Sequence, residues 1–247
     1  MGAKWQAYFE LLRFPAVFTA VADVMMGYLV TQGGLQPWHV FALLVLSSSC
    51  LYLAGMVLND MFDAEIDARD RPTRPIPSGR ISRSSACRVG WFLLGAGYGA
   101  AWVIFLTQHD VGPAAVAGVL ALFVYLYDRG LKRVAIGPVV MGLCRALNVL
   151  LGMSFVGMNT GMPLASRLTP TQLAIPFGIW IYIAIVTWFA KKEATSPSIQ
   201  SAVRYMLRAI IVIDAAIVLG FCGPGWAAAV LALLVPMLFL ERWASTT

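Results

Sequence analysis

The chain predicts an all-α, polytopic membrane protein, on three observations. Its 247 residues are 60% hydrophobic and 12% charged, with a mean hydropathy of +0.77, too little polar surface for a soluble domain of this size. The apolar residues collect into runs long enough, or nearly so, to cross a bilayer. The basic residues then gather in alternate loops between those runs. The expectation is about eight transmembrane helices in a single domain over residues 1–247, with the lipid bilayer around it. Topology accounts for the net charge of +6, so no nucleic-acid partner is expected.

The runs cover residues 14–31, 38–58, 86–107, 111–127, 136–157, 172–190, 205–222 and 226–241. The first starts after Arg13 and lacks the small-residue cleavage site of a signal peptide. It carries Asp23 midway, an ionisable group at membrane depth, where such groups face a cavity or a partner. The third carries Gly95, Gly97 and Gly99 and the fifth Gly142, Gly152 and Gly157, small residues that let helix backbones approach closely. In the fifth, Arg145 and Asn148 share a face at i,i+3 and point toward a central cavity, where Arg145 either pairs with Asp23 or shapes an acceptor pocket. Asp214 in the seventh has no evident partner and reads as structural or lipid-interfacial. The fourth and eighth runs are short, so one of them would be re-entrant or little tilted. His39 and His109 read as interfacial residues. Cys50, Cys87, Cys144 and Cys222 are scattered without metal spacing and read as thiols rather than a disulfide framework.

Of the 18 Lys and Arg residues, all but Arg145 and Arg167 fall before the first run, between the second and third, after the fourth, after the sixth or at the end of the eighth. The positive-inside rule places those segments and both termini on the cytoplasmic side of a cell inner membrane.

One connection stands apart. Residues 59–88 form a cytoplasmic Asp/Arg-rich loop, and the stretch Asn59 to Ser82, NDMFDAEIDARDRPTRPIPSGRIS, holds five of the 12 acidic residues. Read as a helix end, Asp60, Asp63 and Asp67 fall within roughly 60° of one another, Asn59 about 40° beyond Asp63, and Glu65 faces away. The rise from Asp60 to Asp67 is roughly 10 Å, so the row suits one or two hard cations completed by other ligands. Magnesium typically takes one or two carboxylates plus water and substrate phosphate oxygens, which fits an open row. Arg69, Arg71, Arg74 and Arg80 follow as donors to those phosphates. Pro72, Pro75 and Pro77 stop the helix and hold the segment extended, with a turn at Ser78-Gly79. The competing reading is a solvated loop in which Glu65 and Arg69 pair at i,i+4.

The run N-D-x-x-D-x-x-x-D followed by R-P-x-R-P-I-P-S-G-R-I-S resembles the first aspartate-rich motif of the UbiA superfamily of intramembrane prenyltransferases. The likeness extends from Arg13 to about Ser154. It implies a helical bundle around a central cavity, usually of nine helices, that binds an allylic or polyprenyl diphosphate through Mg²⁺ and passes the prenyl group to a small hydrophobic, aromatic acceptor. Tyr127 to Arg133 resembles the family's Y-x-x-x-x-K element, in which Tyr127 and Lys132 approach the diphosphate; taken alone, these are ordinary positive-inside charges. Arg13 matches a family arginine at the entrance of the first helix.

The second aspartate-rich element of the family is missing. Its place reads Phe189 to Pro197, where Glu193 is the one acidic residue, a weak metal ligand beside Lys191 and Lys192, which supply phosphate-neutralising charge instead. These departures are similar to the EboC-like branch of the superfamily. As an enzyme, the chain would hold Mg²⁺ on Asn59, Asp63 and Asp67 with Asp60 in support, and use Asp63, Asp67 and Lys132 to ionise the diphosphate. The alternatives are a non-catalytic binding, transport or assembly component for a lipid diphosphate, and a terpene cyclase of UbiA type.

Overall fold

A computed structural model describes residues 3–155, 164–192 and 197–246. Each apolar run becomes helical. The order is α1 (Ala3–Leu12), a 3-10 turn (Phe14–Ala16), α2 (Val17–Gln32), α3 (Trp38–Phe62), α4 (Ala64–Asp70), α5 (Arg83–Gln108) and α6 (Gly112–Arg129). A second 3-10 turn (Leu131–Arg133) leads to α7 (Gly137–Met153), α8 (Leu164–Arg167), α9 (Pro170–Lys192), α10 (Pro197–Cys222), α11 (Pro224–Leu231) and α12 (Leu234–Thr246).

Among the described residues, six spans are long and apolar enough to cross a membrane: Lys4–Gln32, Trp38–Phe62, Arg83–Gln108, Pro170–Lys191, Tyr205–Cys222 and Pro224–Arg242. α6, with 18 residues, and α7, with 17, fill the remaining places of the eight-run expectation. The eighth run is divided into α11 and α12 at Ala232 and Leu233. Pro236 is the cause: it has no N–H to give the carbonyl of Ala232, and its ring crowds that carbonyl.

The helices pack in a ring of neighbours: α5 on α3, α6 against α3, α5 and α7, α7 between α2 and α9, and α10 on α2 and α11. Small residues set three of these approaches. A Cβ at Gly152 would collide with the backbone of Val24 on α2, and one at Gly142 with the carbonyl of Trp180 on α9. Gly97 does the same on α3, where a Cβ would stand 2.8 Å from Leu51 Cγ and 2.9 Å from the Ser47 carbonyl oxygen. Gly95 and Gly99, expected to act alike, face open space, while Gly157 lies outside the described residues.

One half of the bundle is solidly filled, with Tyr28, Leu44, Ile104, Leu147, Leu151 and Phe155 in a single apolar cluster. Polar ties close its far end. The Gln32 amide donates to the Phe155 carbonyl at 2.6 Å, His39 meets Gln108 at 3.3 Å, and Arg167 pairs with the buried Asp110 at 3.3 Å. The other end carries α4, the 71–82 segment and the second 3-10 turn, where the ionisable residues meet.

Candidate functional site

The acidic row begins where α3 gives way to α4. Hydrogen bonding runs through the junction, from the Asp63 N–H to the Asn59 carbonyl (3.1 Å) and from the Asp67 N–H to the Asp63 carbonyl (2.8 Å), so helical spacing survives. The row does not act as one face, however. Arg74 Nη1 bridges Asp60 Oδ1 at 3.2 Å and Asp67 Oδ2 at 2.7 Å, and Arg13 Nη2 adds a contact to Asp60 Oδ1 at 3.0 Å. Asp63 turns the other way. Its Oδ2 accepts from Lys132 Nζ at 2.7 Å and its Oδ1 from Arg133 Nη2 at 3.0 Å, while the same ammonium donates to Asn59 Oδ1 at 2.9 Å.

Local backbone features place these cations. Arg13 lies in the left-handed region at φ 45°, a conformation that costs a non-glycine residue about 1–3 kcal/mol, and the bend it makes between α1 and α2 aims the guanidinium at Asp60. The three prolines do stop α4, but they do not hold an extended segment. The chain folds into successive turns closed by Arg74 N–H to the Arg71 carbonyl (3.1 Å), Ser78 N–H to the Arg74 carbonyl (3.0 Å) and Ile81 N–H to the Pro75 carbonyl (3.0 Å). Gly79 takes φ 74° in this run, which glycine adopts without strain. The compact turn returns Arg74 to the carboxylates. Glu65 faces away, as expected, and pairs with Arg83 at 3.0 Å rather than with Arg69.

Beneath this charged layer lies a cavity of about 570 Å³. Arg13, Asn59, Asp63, Arg71, Arg74 and Lys191 surround its mouth, and Leu51, Met56, Leu120, Val124 and Met141 form apolar wall. Tyr127, Asp128 and Cys144 line it between those layers, and Tyr52, Arg145 and Asn148 lie toward the floor. Asp60, Asp67 and Lys132 are 4%, 5% and 9% exposed; they stand behind the mouth and fix the groups that line it. Arg71 and Lys191 have no carboxylate partner among the described residues; Lys191 donates to the Val134 carbonyl at 3.1 Å.

At the floor, Arg145 Nε reaches Asp23 Oδ2 at 2.7 Å and its guanidinium stands 6.0 Å from the centre of the Tyr52 ring. Asn148 Nδ2 donates to Asp23 Oδ2 at 3.1 Å and to the Ala20 carbonyl at 3.0 Å, while Ser48 donates to Asn148 Oδ1 at 2.6 Å. Of the two readings of Asp214 the structural one holds: it is wholly buried and faces Asp23, away from lipid.

Arg80 does not join the site. It is held by Glu10 at 2.7 Å and by the Thr73 carbonyl at 2.7 Å, outside the cavity lining. The side chain of Lys192, and Glu193 altogether, lie outside the described residues. Two residues were missed by sequence reasoning. Arg133 was visible only as one charge in a basic run, and Asp128 only as the residue after Tyr127.

Among the described residues, no three His, Cys, Asp or Glu side chains converge on one point. The donor chemistry nonetheless fits a hard cation whose shell is completed by another molecule, because every polar atom in the row is oxygen apart from the Asn59 amide nitrogen. Two seats for positive charge are marked by the protein's own cations: Lys132 between Asn59 and Asp63, and Arg74 between Asp60 and Asp67.

A helical membrane bundle with paired cations and carboxylates above an apolar chamber is suited to an amphiphile with an anionic head and a hydrocarbon tail. The comparisons give the family. The model of the UbiA prenyltransferase family matches residues 20–246, and the chain belongs to that family. It is 30% identical over 154 residues to the digeranylgeranylglyceryl phosphate synthase of Sulfurisphaera tokodaii, covering 60% of this chain and 51% of that one. It is 37% identical over 127 residues to the enzyme of the same name from Methanopyrus kandleri, covering 51% and 44%. The chain thus spans about half the length of these curated relatives. A solved digeranylgeranylglyceryl phosphate synthase structure superimposes with a TM-score of 0.63 at 25% identity, over 98% of this chain and 88% of that one. A UbiA homolog from Archaeoglobus fulgidus bound to GPP and Mg²⁺ shares the fold, with a TM-score of 0.57 at 16% identity over 96% and 87%.

Proposed function

We propose that the chain is a membrane prenyltransferase. The diphosphate of a polyprenyl diphosphate lies at the charged mouth, its tail enters the apolar chamber, and the prenyl group passes to an amphiphilic acceptor. The observation that carries this reading is the layering of one cavity: Arg13, Arg71, Arg74 and Lys191 at the opening, and Leu51, Leu120 and Val124 below. Anionic oxygens are favoured by the first layer and hydrocarbon by the second.

Asn59 with Asp63, and Asp60 with Asp67, form the two seats that would hold Mg²⁺, which when bound withdraws charge from the leaving diphosphate. The chain's own residues do the rest. Arg71, Arg74, Lys132 and Lys191 neutralise the phosphate oxygens, Tyr127 borders them, and the apolar wall limits water around the reacting carbon. With both the loop and the termini beside basic residues, the mouth opens to the cytoplasm.

The acceptor has two candidate classes. The likeness to UbiA enzymes suggests an aromatic ring. The names of the relatives suggest a glyceryl phosphate, and the mouth has cations to spare for a second phosphate, so we take that class first. The test is to incubate the purified protein with prenyl diphosphates of several lengths and Mg²⁺, measuring pyrophosphate release with glyceryl phosphate and aromatic acceptors. Mg²⁺-dependent release that rises with one acceptor class is expected. Folded protein that binds the diphosphate but releases none with any acceptor would overturn catalysis and leave a carrier or assembly role.

A further inference from the structure

The chamber holds one carboxyl that the pairing at its mouth does not use. Asp128, in the last turn of α6, lines the cavity and is 3% exposed, yet its Oδ2 has no hydrogen-bond partner among the described residues. Buried polar atoms are nearly always hydrogen-bonded, and an unpartnered one costs about 1–3 kcal/mol. The nearby cations are committed elsewhere: Lys132 to Asn59 and Asp63, and Arg129 outward to the Tyr125 hydroxyl at 2.5 Å.

Space has been left beside this carboxyl. Gly55 faces it from α3, where an added methyl group would stand 4.0 Å from Asp128 Oδ2 and 3.3 Å from Val124 Cγ1. Asp128 is one turn along α6 from Val124 and two from Leu120, so it marks the level at which apolar wall meets charged mouth. The charged groups acting on it are Lys132, Asp63, Asp60 and Arg13, and Tyr127 and Cys144 border it. A diphosphate is drawn to the cations above and offers this oxygen no donor. What suits an unpartnered carboxyl oxygen at this level is a hydrogen-bond donor.

We propose that Asp128 holds and deprotonates the reacting hydroxyl of the acceptor. The proposal rests on the transferase reading above. The C1–O bond of the prenyl diphosphate breaks, its electron pair leaving with the diphosphate. A lone pair of the acceptor oxygen forms the new C1–O bond, and the hydroxyl proton passes to the Asp128 carboxylate, which later returns it to water. Nothing is oxidised or reduced. A hydroxyl gives the carboxylate a hydrogen bond before reaction, which orients the oxygen toward C1; an aromatic C–H does not.

The experiment compares the intact wild-type chain with Asp128→Asn, using geranylgeranyl diphosphate, Mg²⁺ and a panel comprising a monoprenylated glyceryl phosphate, glyceryl phosphate and a phenol. Asparagine keeps the shape but cannot take the proton. Ether formed per pyrophosphate released should fall about 100-fold, the KM for geranylgeranyl diphosphate should move by less than about threefold, and Asp128→Glu should recover part of the loss. An unchanged ratio of ether to pyrophosphate in Asp128→Asn overturns the role of Asp128 alone. Loss of diphosphate binding in both Asp128→Asn and Asp128→Ser overturns it in favour of a structural role. Wild-type pyrophosphate release with no ether from any hydroxyl overturns the acceptor class. No wild-type release with any acceptor overturns the transferase reading, and this proposal with it.

Discussion

Single side chains carry most of the chemistry, and their legibility followed their setting. Asp23, Arg145 and Asn148 stood out in the sequence because polar groups at membrane depth are costly, and the structure joins them. Breaking such a buried pair strands a charge, so Asp23→Asn should destabilise the bundle by about 3–5 kcal/mol. Thermal unfolding in detergent would check this, and a midpoint equal to that of the wild type would refute it. Asp128 escaped notice because a carboxylate at a helix end among basic residues is ordinarily a solvated one. The acidic row was legible, but the division of its partners was not, since Arg74 and Lys132 reach it across 7 and 69 residues of chain. If the row serves a metal-diphosphate, Asp63→Asn and Asp67→Asn should each weaken Mg²⁺-dependent binding of geranyl diphosphate. A lost charge-assisted contact is worth about 1.5–3 kcal/mol, or roughly 10- to 150-fold in affinity. Glu65→Gln should change nothing, because its carboxylate is 82% exposed and turned toward Arg83. Calorimetric titration giving equal losses for Glu65→Gln and Asp63→Asn would show that the two faces are wrongly assigned.

Whole elements were easier to foresee than their contacts. Seven of the eight apolar runs became one helix each and the eighth a broken pair, because hydrophobic length specifies a span. The interruption at Ala232 was also written in the chain, as Pro236 four residues on, but a proline within apolar sequence is equally compatible with a continuous kinked helix. Glycine content marked α5 and α7 as closely packed without saying which glycines make contact, since a row of small residues has no built-in direction. Gly152 and Gly95 separate the cases. Gly152→Val must push α7 off α2, and overpacking of this kind costs about 1–3 kcal/mol. Gly95→Val meets open space and should leave the melting temperature unchanged. Equal destabilisation by the two substitutions would mean that α7 does not seat on α2 at Val24.

For the molecule as a whole, the charge distribution makes a prediction about orientation. A cysteine introduced near Arg80, in a variant lacking the four native cysteines, should react with impermeant maleimide from the cytoplasmic face only. Labelling from the opposite face would reverse the topology. The chamber has a further consequence for the membrane in which it sits. Its lining is drawn from one half of α3, α6 and α7 and the end of α9, down to Leu51, Leu120 and Asn148, and below that level Tyr28, Leu44, Leu151 and Phe155 close the bundle. The Asn148, Ser48, Asp23 and Arg145 contacts tie the helices together at the boundary. A water-lined passage through such a protein would short-circuit the cell's ion gradients; a blind well does not. The packed half is therefore electrical insulation as much as scaffold, and vesicles containing the protein should hold a proton gradient as long as vesicles without it. A faster decay in a fluorescent pH assay would show that the well has a second opening.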